Sequence, residues 1–420
     1  MAKEVLIVGA GFGGLEAARA LAGNPSVNLT ILDQRNHHLF QPLLYQVATA
    51  GLSPGDIAVP VRAQFSQAGN VDVHLGRVSR VELADKRVFL EDGVSFSWDF
   101  LILACGATHS YFGHPEWEPF APGLKTLEQA TEIRRRILLA FESAENEAHP
   151  SKQRPLLAFV IVGGGPTGVE LAGAIADISR TVLVRDFRHI DPTTAHVLLL
   201  EAGPRILPAF AETLSRHAED DLRALGVEVR TSAAVTSIDA DGVEIGGKER
   251  IAAKNVFWAA GVQASGLAKS LGVELDRAGR VKVNGDLSIP AFRDAFVIGD
   301  MAHLEEPGRG LVPGLAPAAI QEGRLAAHNV LASVEGRPRR PFRYRDKGMM
   351  ATIGKHKAIV QTGRLRLTGF FAWVAWLFIH VLYLIGFKNR ISVFAQWVWS
   401  YVFSKRGARL ITSREWKLPP

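Results

Sequence analysis

A glycine-rich turn occurs twice in this chain, as Gly9-Ala10-Gly11-Phe12-Gly13-Gly14 and as Gly163-Gly164-Gly165-Pro166-Thr167-Gly168. In front of each copy lies an apolar, β-branched run, Val5-Leu6-Ile7-Val8 and Phe159-Val160-Ile161-Val162. Behind each comes a helix-compatible stretch, residues 15–21 and 169–174. A glycine cluster alone also serves ordinary turns. Strand, tight turn and helix N-terminus in succession build something more specific, an anion site whose free N–H groups and helix dipole favour a pyrophosphate. Two such units predict an α/β chain with two Rossmann-like dinucleotide-binding folds, and two dinucleotides in one protein point to electron transfer between them.

Composition narrows the classes. At 420 residues, 47% hydrophobic and 21% charged, the chain is globular and long enough for two or three domains. Cys105 is the only cysteine, which excludes an intrachain disulfide, a CxxC redox pair and a cysteine-rich metal site. The formal charge is +6, and Lys388, Arg390, Lys405, Arg406, Arg409, Arg414 and Lys417 crowd the end of the chain. These cations suit either a solvated surface or anionic lipid. No recognition motif accompanies them, so nucleic acid is not expected as a partner. Met1-Ala2-Lys3-Glu4 leads straight into the first apolar run, leaving no room for a signal peptide, and a cytoplasmic body is expected. His37 and His38 stand side by side without a second ligand cluster, and no metal is assigned.

Each cradle closes on an acid. After the first, Leu29-Thr30-Ile31-Leu32 reads as a strand ending at Asp33, about 20 residues past the glycines, where a carboxylate accepts hydrogen bonds from an adenosine ribose. After the second, Val197-Leu198-Leu199-Leu200 ends at Glu201, with Thr181–His196 inserted before it. Glu201 would bind two ribose hydroxyls and repel a 2′-phosphate, so NADH is expected over NADPH. Gly9, Gly11, Gly13 and Gly14 thus form one cofactor cradle, and Gly163, Gly165 and Gly168 the other. Val256–Gly261 closes the second fold, with Gly261 allowing close approach near the nicotinamide. Glu170, one turn into the second cradle helix, either complements the dipole or serves the chemistry.

Two later segments resemble the finishing pieces of a flavoprotein. Leu101–Thr108, with Gly106, is similar to the strand that returns beside FAD, and Phe296-Val297-Ile298-Gly299-Asp300 is similar to the strand whose Gly-Asp meets its ribityl and pyrophosphate groups. The resemblance implies FAD in the first cradle. The expected organisation is 1–115 and 265–340 for an FAD-binding domain, 116–264 for an NADH-binding domain, and 341–420 for a C-terminal membrane-anchoring domain.

Taken together these pieces resemble the type II NADH:quinone oxidoreductases over nearly the whole chain. Residues 36–51, Gly163–Gly173, Glu201–Pro208 and Leu382–Arg390 carry the likeness more specifically than the glycines do. Ala316-Pro317-Ala318-Ala319-Ile320-Gln321 resembles the family's A-Q-x-A-x-Q quinone-site motif. That resemblance places Ala319 near the flavin and turns Gln321 towards the quinone headgroup. Pro317 replaces the first glutamine of the motif and lacks both an amide side chain and an N–H.

The tail completes the reading. Phe370–Phe387 is almost wholly apolar and about 18 residues long, the minimum for a span. Trp373, Trp376, His380, Tyr383 and Phe387 recur at helical spacing, and residues 391–403 carry Trp397, Trp399 and Tyr401. Aromatic rings of this kind favour helices lying in one leaflet with cations reaching lipid phosphates. Lys388, expected between the two helices, either assists the quinone or binds lipid. The expected function is hydride transfer from NADH to FAD, then two-electron reduction of a membrane ubiquinone or menaquinone without proton pumping, on the cytoplasmic face of the membrane. The catalytic side chains would be Glu170, Gln321 and Lys388, and the assembly is left open between monomer and homodimer. Two rivals use the same fold: a sulfide:quinone oxidoreductase, which needs a cysteine pair, and a soluble NAD(P)H-dependent reductase of a ferredoxin-like acceptor. A nucleotide-binding redox sensor with negligible turnover is the non-enzymatic one.

Overall fold

The computed structural model describes residues 1–403 and 408–412. Contacts divide the chain into two compact units. The first comprises Met1–Leu39, Ala58–Thr108 and Val262–Lys347, and the second comprises Phe40–Ile57, His109–Gly261 and Gly348–Pro420.

The first unit is built on a six-stranded sheet in the order Ser288–Ile289, Phe292–Val297, Phe100–Leu103, Lys3–Val8, Val27–Asp33, Val71–Leu75. Its strands are parallel except for the edge hairpin of the first two. Val5 pairs with Leu29 on one side and Phe100 on the other, and the run Val5–Val8 is buried throughout. That is why it reads as continuous apolar sequence rather than as an alternation. Leu6, Val8, Leu101, Leu103 and Val297 share one core cluster with Trp98 and Leu271. The cradle helix Phe12–Leu21 packs against the helix Ala316–Val334. Gly323 permits this approach, because a Cβ there would lie 2.2 Å from the Gly13 carbonyl oxygen. Pro317 sits in the first turn of the second of these helices, where no N–H is needed.

The second unit carries a four-stranded parallel sheet in the order Val227–Arg230, His196–Leu200, Ala158–Val162, Asn255–Trp258. Its cradle helix is Pro166–Asp177. The insertion ahead of the acid forms short helical turns at Ile178–Val182, Leu183–Arg185 and Pro192–Thr194. The Glu145 carboxylate fixes it by accepting from the amides of Arg188, His189 and Ile190. The antiparallel strands Met349–Thr352, Ala358–Thr362 and Leu365–Thr368 follow, then the helices Gly369–Tyr383 and Phe387–Phe403.

The tail helices correct the expected orientation of the aromatic row. Trp373 and Trp376 point inward and are buried, with Trp376 at 1% exposure stacked on His380. Tyr383 and Phe387 of the row, and Trp399, are exposed, together with Phe371, Phe378 and Leu382 on the first helix and Ile391, Phe394 and Val398 on the second. Arg390 is not a free surface cation, since its guanidinium donates to the carbonyls of Leu382 and Leu384 and closes the first helix. Lys388 falls inside the first turn of the second helix rather than between the helices, and is exposed. Among the described residues no helix is long and apolar enough to cross a membrane. The side chain of Tyr401 and residues Lys405, Arg406, Arg414 and Lys417 lie outside the described part.

Candidate functional site

In the first unit Gly9 adopts φ +101°, and a Cβ there would sit 2.4 Å from the Ala104 carbonyl oxygen. A Cβ on Gly14 would come within 1.8 Å of the Gly9 oxygen. Both glycines are therefore required by close backbone approach. Gly11 caps the helix without any side-chain bond, and nothing lies within 4 Å of where its Cβ would be. The helix N-terminus thus faces an open mouth, which fits a pyrophosphate. Asp33 accepts from the Ala10 amide at 2.6 Å and the Arg35 amide at 2.8 Å, and burial pushes its carboxyl above the usual range. It braces the turn and keeps further lone pairs for ribose hydroxyls.

His38 lies beneath this turn. Its Nδ1 is 2.9 Å from the Ala10 carbonyl oxygen, which can only accept, so Nδ1 carries the hydrogen. Among the described residues Nε2 is then a buried acceptor with no partner, and burial holds the ring neutral by lowering its pKa to about 4. An orphaned acceptor beside an open anion cradle is consistent with a polar cofactor such as FAD.

The return segments meet the same place. A Cβ on Gly13 would lie 3.0 Å from both the Ala319 oxygen and Ile298, and one on Gly299 would lie 3.4 Å from the Ala319 Cβ. Ala319 thus lies against the backbone at both Gly13 and Gly299. The Gly299 amide donates to Glu322 Oε2 at 2.5 Å, fixing the turn that carries Asp300. Glu322 is 3% exposed, and burial, reinforced by the Asp300 charge, pushes its carboxyl up to about 7. Gly106, at φ +66°, accepts from the Ser265 amide at 3.1 Å. Sequence reading singled out Asp300 and Ala319 but missed Glu322, whose only signal is its place one residue beyond Gln321.

Gln321 departs from expectation. Its Nε2 donates to the carbonyls of Pro317 and Arg345, each at 3.0 Å, and its Oε1 accepts from the Arg345 amide at 3.0 Å. Both amide hydrogens are used on backbone, so in this arrangement Gln321 holds residue 345 instead of offering a donor to a headgroup. Cys105 is inert as a thiolate source, because burial pushes its thiol up to about 12.

The second cradle repeats the first. Gly163 has φ +112°, with its Cβ position 2.6 Å from the Ala259 carbonyl carbon. The Cβ position of Gly168 is 1.9 Å from the Gly163 oxygen. Gly165 caps its helix with no side-chain bond and open space around it. Glu201 accepts from Gly164 at 2.6 Å and Gly203 at 2.7 Å, as Asp33 does from Ala10 and Arg35. Gly261, at φ +70°, follows the adjacent strand.

Glu170 lies in this helix, partly buried, and desolvation pushes its carboxyl up to about 8. Its Oε1 accepts a long hydrogen bond, 3.4 Å, from the Thr352 amide. From Thr352 Oγ1 a polar chain continues to Tyr45 OH at 2.9 Å, then to Gln46 Nε2 at 3.0 Å, and Gln46 Oε1 accepts from Trp397 Nε1 at 2.7 Å. The indole can only donate, which fixes the Gln46 amide and makes the Tyr45 oxygen an acceptor. Nothing in sequence links these four side chains, since they come from three separated segments.

A family model for pyridine nucleotide-disulphide oxidoreductases matches residues 3–323. The fold also matches the NADH complex of Plasmodium falciparum NDH2, with a TM-score of 0.88 at 18% identity, covering 98% of this chain and 100% of that one. It matches Aquifex aeolicus sulfide:quinone oxidoreductase with a TM-score of 0.74 at 18% identity over 96% of each chain. In sequence, the Type II NADH:quinone oxidoreductase Ndh of Mycobacterium tuberculosis is 43% identical, covering 98% of this chain and 91% of the relative. The same organism's NdhA is 43% identical over 98% and 90%. Two glycine cradles on paired nucleotide folds define a pyridine nucleotide-disulphide oxidoreductase. Within that class, the chain belongs to the type II NADH:quinone oxidoreductases.

Proposed function

We propose that this protein is a FAD-dependent enzyme that passes two electrons from NADH to a membrane quinone without pumping protons. The observation that carries the reading is the pair of equivalent cradles, one in each unit, each closed by a carboxylate. Gly9, Gly11, Gly13, Gly14, Asp33, Gly106, Asp300 and Ala319 would hold FAD, and Gly163, Gly165, Gly168, Glu201 and Gly261 would hold NADH. Bound FAD supplies the two-electron chemistry, and the protein supplies binding, orientation and charge. Overall, NADH, one proton and quinone give NAD⁺ and quinol. Glu170 suits delivery of that proton. Near neutral pH its carboxyl is protonated, Oε1 is engaged by the Thr352 amide, and Oε2 is left to carry the hydrogen.

The exposed apolar row of the tail helices supports attachment to one leaflet. The exposed Lys388 suits a lipid phosphate better than a catalytic role. A soluble ferredoxin-like acceptor would leave that apolar row without purpose. Replacing Phe371 and Phe378 with glutamate should release the protein from anionic vesicles in a flotation assay while leaving reduction by NADH intact. The reaction itself is tested by anaerobic mixing with NADH, then NADPH, then a quinone. Bleaching of the flavin by NADH, much slower bleaching by NADPH and colour recovery with quinone are expected. Persistent yellow colour after NADH would overturn the donor.

A further inference from the structure

Phe112 occupies a backbone conformation that a bulky aromatic residue rarely takes, φ +52°. Its neighbours do not force this through burial. Tyr111, Trp117 and Trp258 form a buried aromatic cluster, Tyr111 stacked on Trp258 at 5.0 Å, whereas the Phe112 ring stays 65% exposed. The ring lies over Gly261, and a Cβ on that glycine would come within 2.5 Å of Phe112 Cζ. The turn is closed by the His114 amide donating to the Tyr111 carbonyl at 3.0 Å, with Phe112 and Gly113 both at positive φ. The loop is held against the strand by Ser110 N donating to the Gly261 carbonyl at 3.3 Å and Trp258 Nε1 donating to the Ser110 carbonyl at 3.0 Å. This is the carboxyl end of the strand Asn255–Trp258, beside the second cradle, because the Cβ position of Gly163 abuts Ala259 and Ala260. Ligands of open parallel sheets bind at that edge. Strain of this kind persists where the surroundings impose it, and it concentrates at binding sites.

We propose that Phe112 is a positioning residue for the nicotinamide nucleotide, its strained backbone presenting the ring across Gly261 to the NADH held by the second cradle. The proposal rests on the NADH reading above and adds a specific wall to that site. The glycine clears space for the ring, and the ring supplies an apolar face against which a planar heterocycle or its ribose packs.

The test uses the FAD-loaded protein and NAD⁺, which binds without reducing the flavin, titrated calorimetrically alongside thermal melts. Phe112→Asn, which accepts the left-handed conformation, should raise the melting temperature by about 2 °C. It should also weaken NAD⁺ about tenfold. Phe112→Tyr should keep the affinity within twofold. Stability gained as affinity is lost is the signature of strain kept for binding. An asparagine variant that binds NAD⁺ as the unaltered chain does, or that melts lower, overturns the proposal and leaves Phe112 a structural turn residue. Failure of the unaltered protein to bind NAD⁺ instead overturns the NADH reading itself.

Discussion

Glu16 and Glu170 occupy the same slot in the two cradles, each seven residues after the first glycine of its turn, yet their surroundings differ completely. Glu16 is ion-paired to Arg19 at 2.9 Å and to Arg324 at 2.8 Å. Among the described residues Glu170 meets no cation, only the Thr352 amide, and burial pushes its carboxyl up to about 8. The turn geometry that both share is dictated by backbone contacts and so is repeated almost atom for atom. What each helix then carries is free to diverge. One carboxylate clamps the cradle helix to residue 324, and the other is left as a neutral acid. A perturbed carboxyl without a counter-charge, in a nucleotide fold, has the profile of a proton carrier.

The shared part of this comparison should break hardest. Gly14→Ala and Gly168→Ala each drive a methyl group into a carbonyl oxygen, at a cost of about 3 kcal/mol or more. The first should yield protein purified without flavin colour. The second should yield yellow protein that no longer bleaches with NADH. Loss of flavin colour in the Gly168→Ala variant as well would show that the two units do not fold independently enough for the cradles to be separated.

The divergent part comes next. Glu170→Gln should slow quinone reduction about a hundredfold, as loss of a positioned acid does, while stopped-flow bleaching by NADH stays within a few-fold. Glu16→Gln removes a partly exposed ion pair, with side chains of Arg19 and Arg324 at 37% and 65% exposure, and should change stability by about 0.5 kcal/mol or less. Equal loss in the two variants would mean that the slot matters and its surroundings do not.

The pH dependence of stability should have opposite signs in the two units. Folded Glu170 keeps its proton up to about pH 8, whereas an unfolded glutamate loses it near pH 4.3. Between those values the folded state binds more protons, so Glu170 makes stability fall as pH rises. Folded His38 stays neutral down to about pH 4, whereas an unfolded histidine protonates near pH 6.5. Across that window the unfolded state binds more protons, so His38 makes stability fall as pH drops. Melting curves should flatten between about pH 6.5 and 8 in Glu170→Gln, whereas between about pH 4.5 and 6.5, where the two slopes oppose each other, His38→Asn should make stability fall more steeply as pH rises. Unchanged slopes would remove either group from this account.

Much of the fold was legible because its elements follow local rules. The apolar runs at residues 5–8 and 159–162 are buried central strands, and their turns need glycine wherever backbone approaches backbone. Asp33 was placed by its spacing and Glu201 by the strand it ends, beyond an insertion, although the structure adds that each first braces its own turn. The tail was harder to read. Its apolarity was visible, but both faces of the helix Gly369–Tyr383 are apolar, so periodicity could not say which side Trp376 would take. Gln321 was placed by motif and then found bonded to the backbone of residue 345, a partner no local pattern announces.

Sequence by itself therefore determined two nucleotide folds, their glycine turns, their closing acids and the absence of a cysteine relay, because each depends on short-range sterics or on residue identity. Tertiary structure alone decided which acid became unusual. The raised carboxyl of Glu170, the neutral ring of His38 and the buried Glu322 arise from water excluded by segments distant in the chain. Desolvation is a property of the packed neighbourhood, and no stretch of residues read in order contains it.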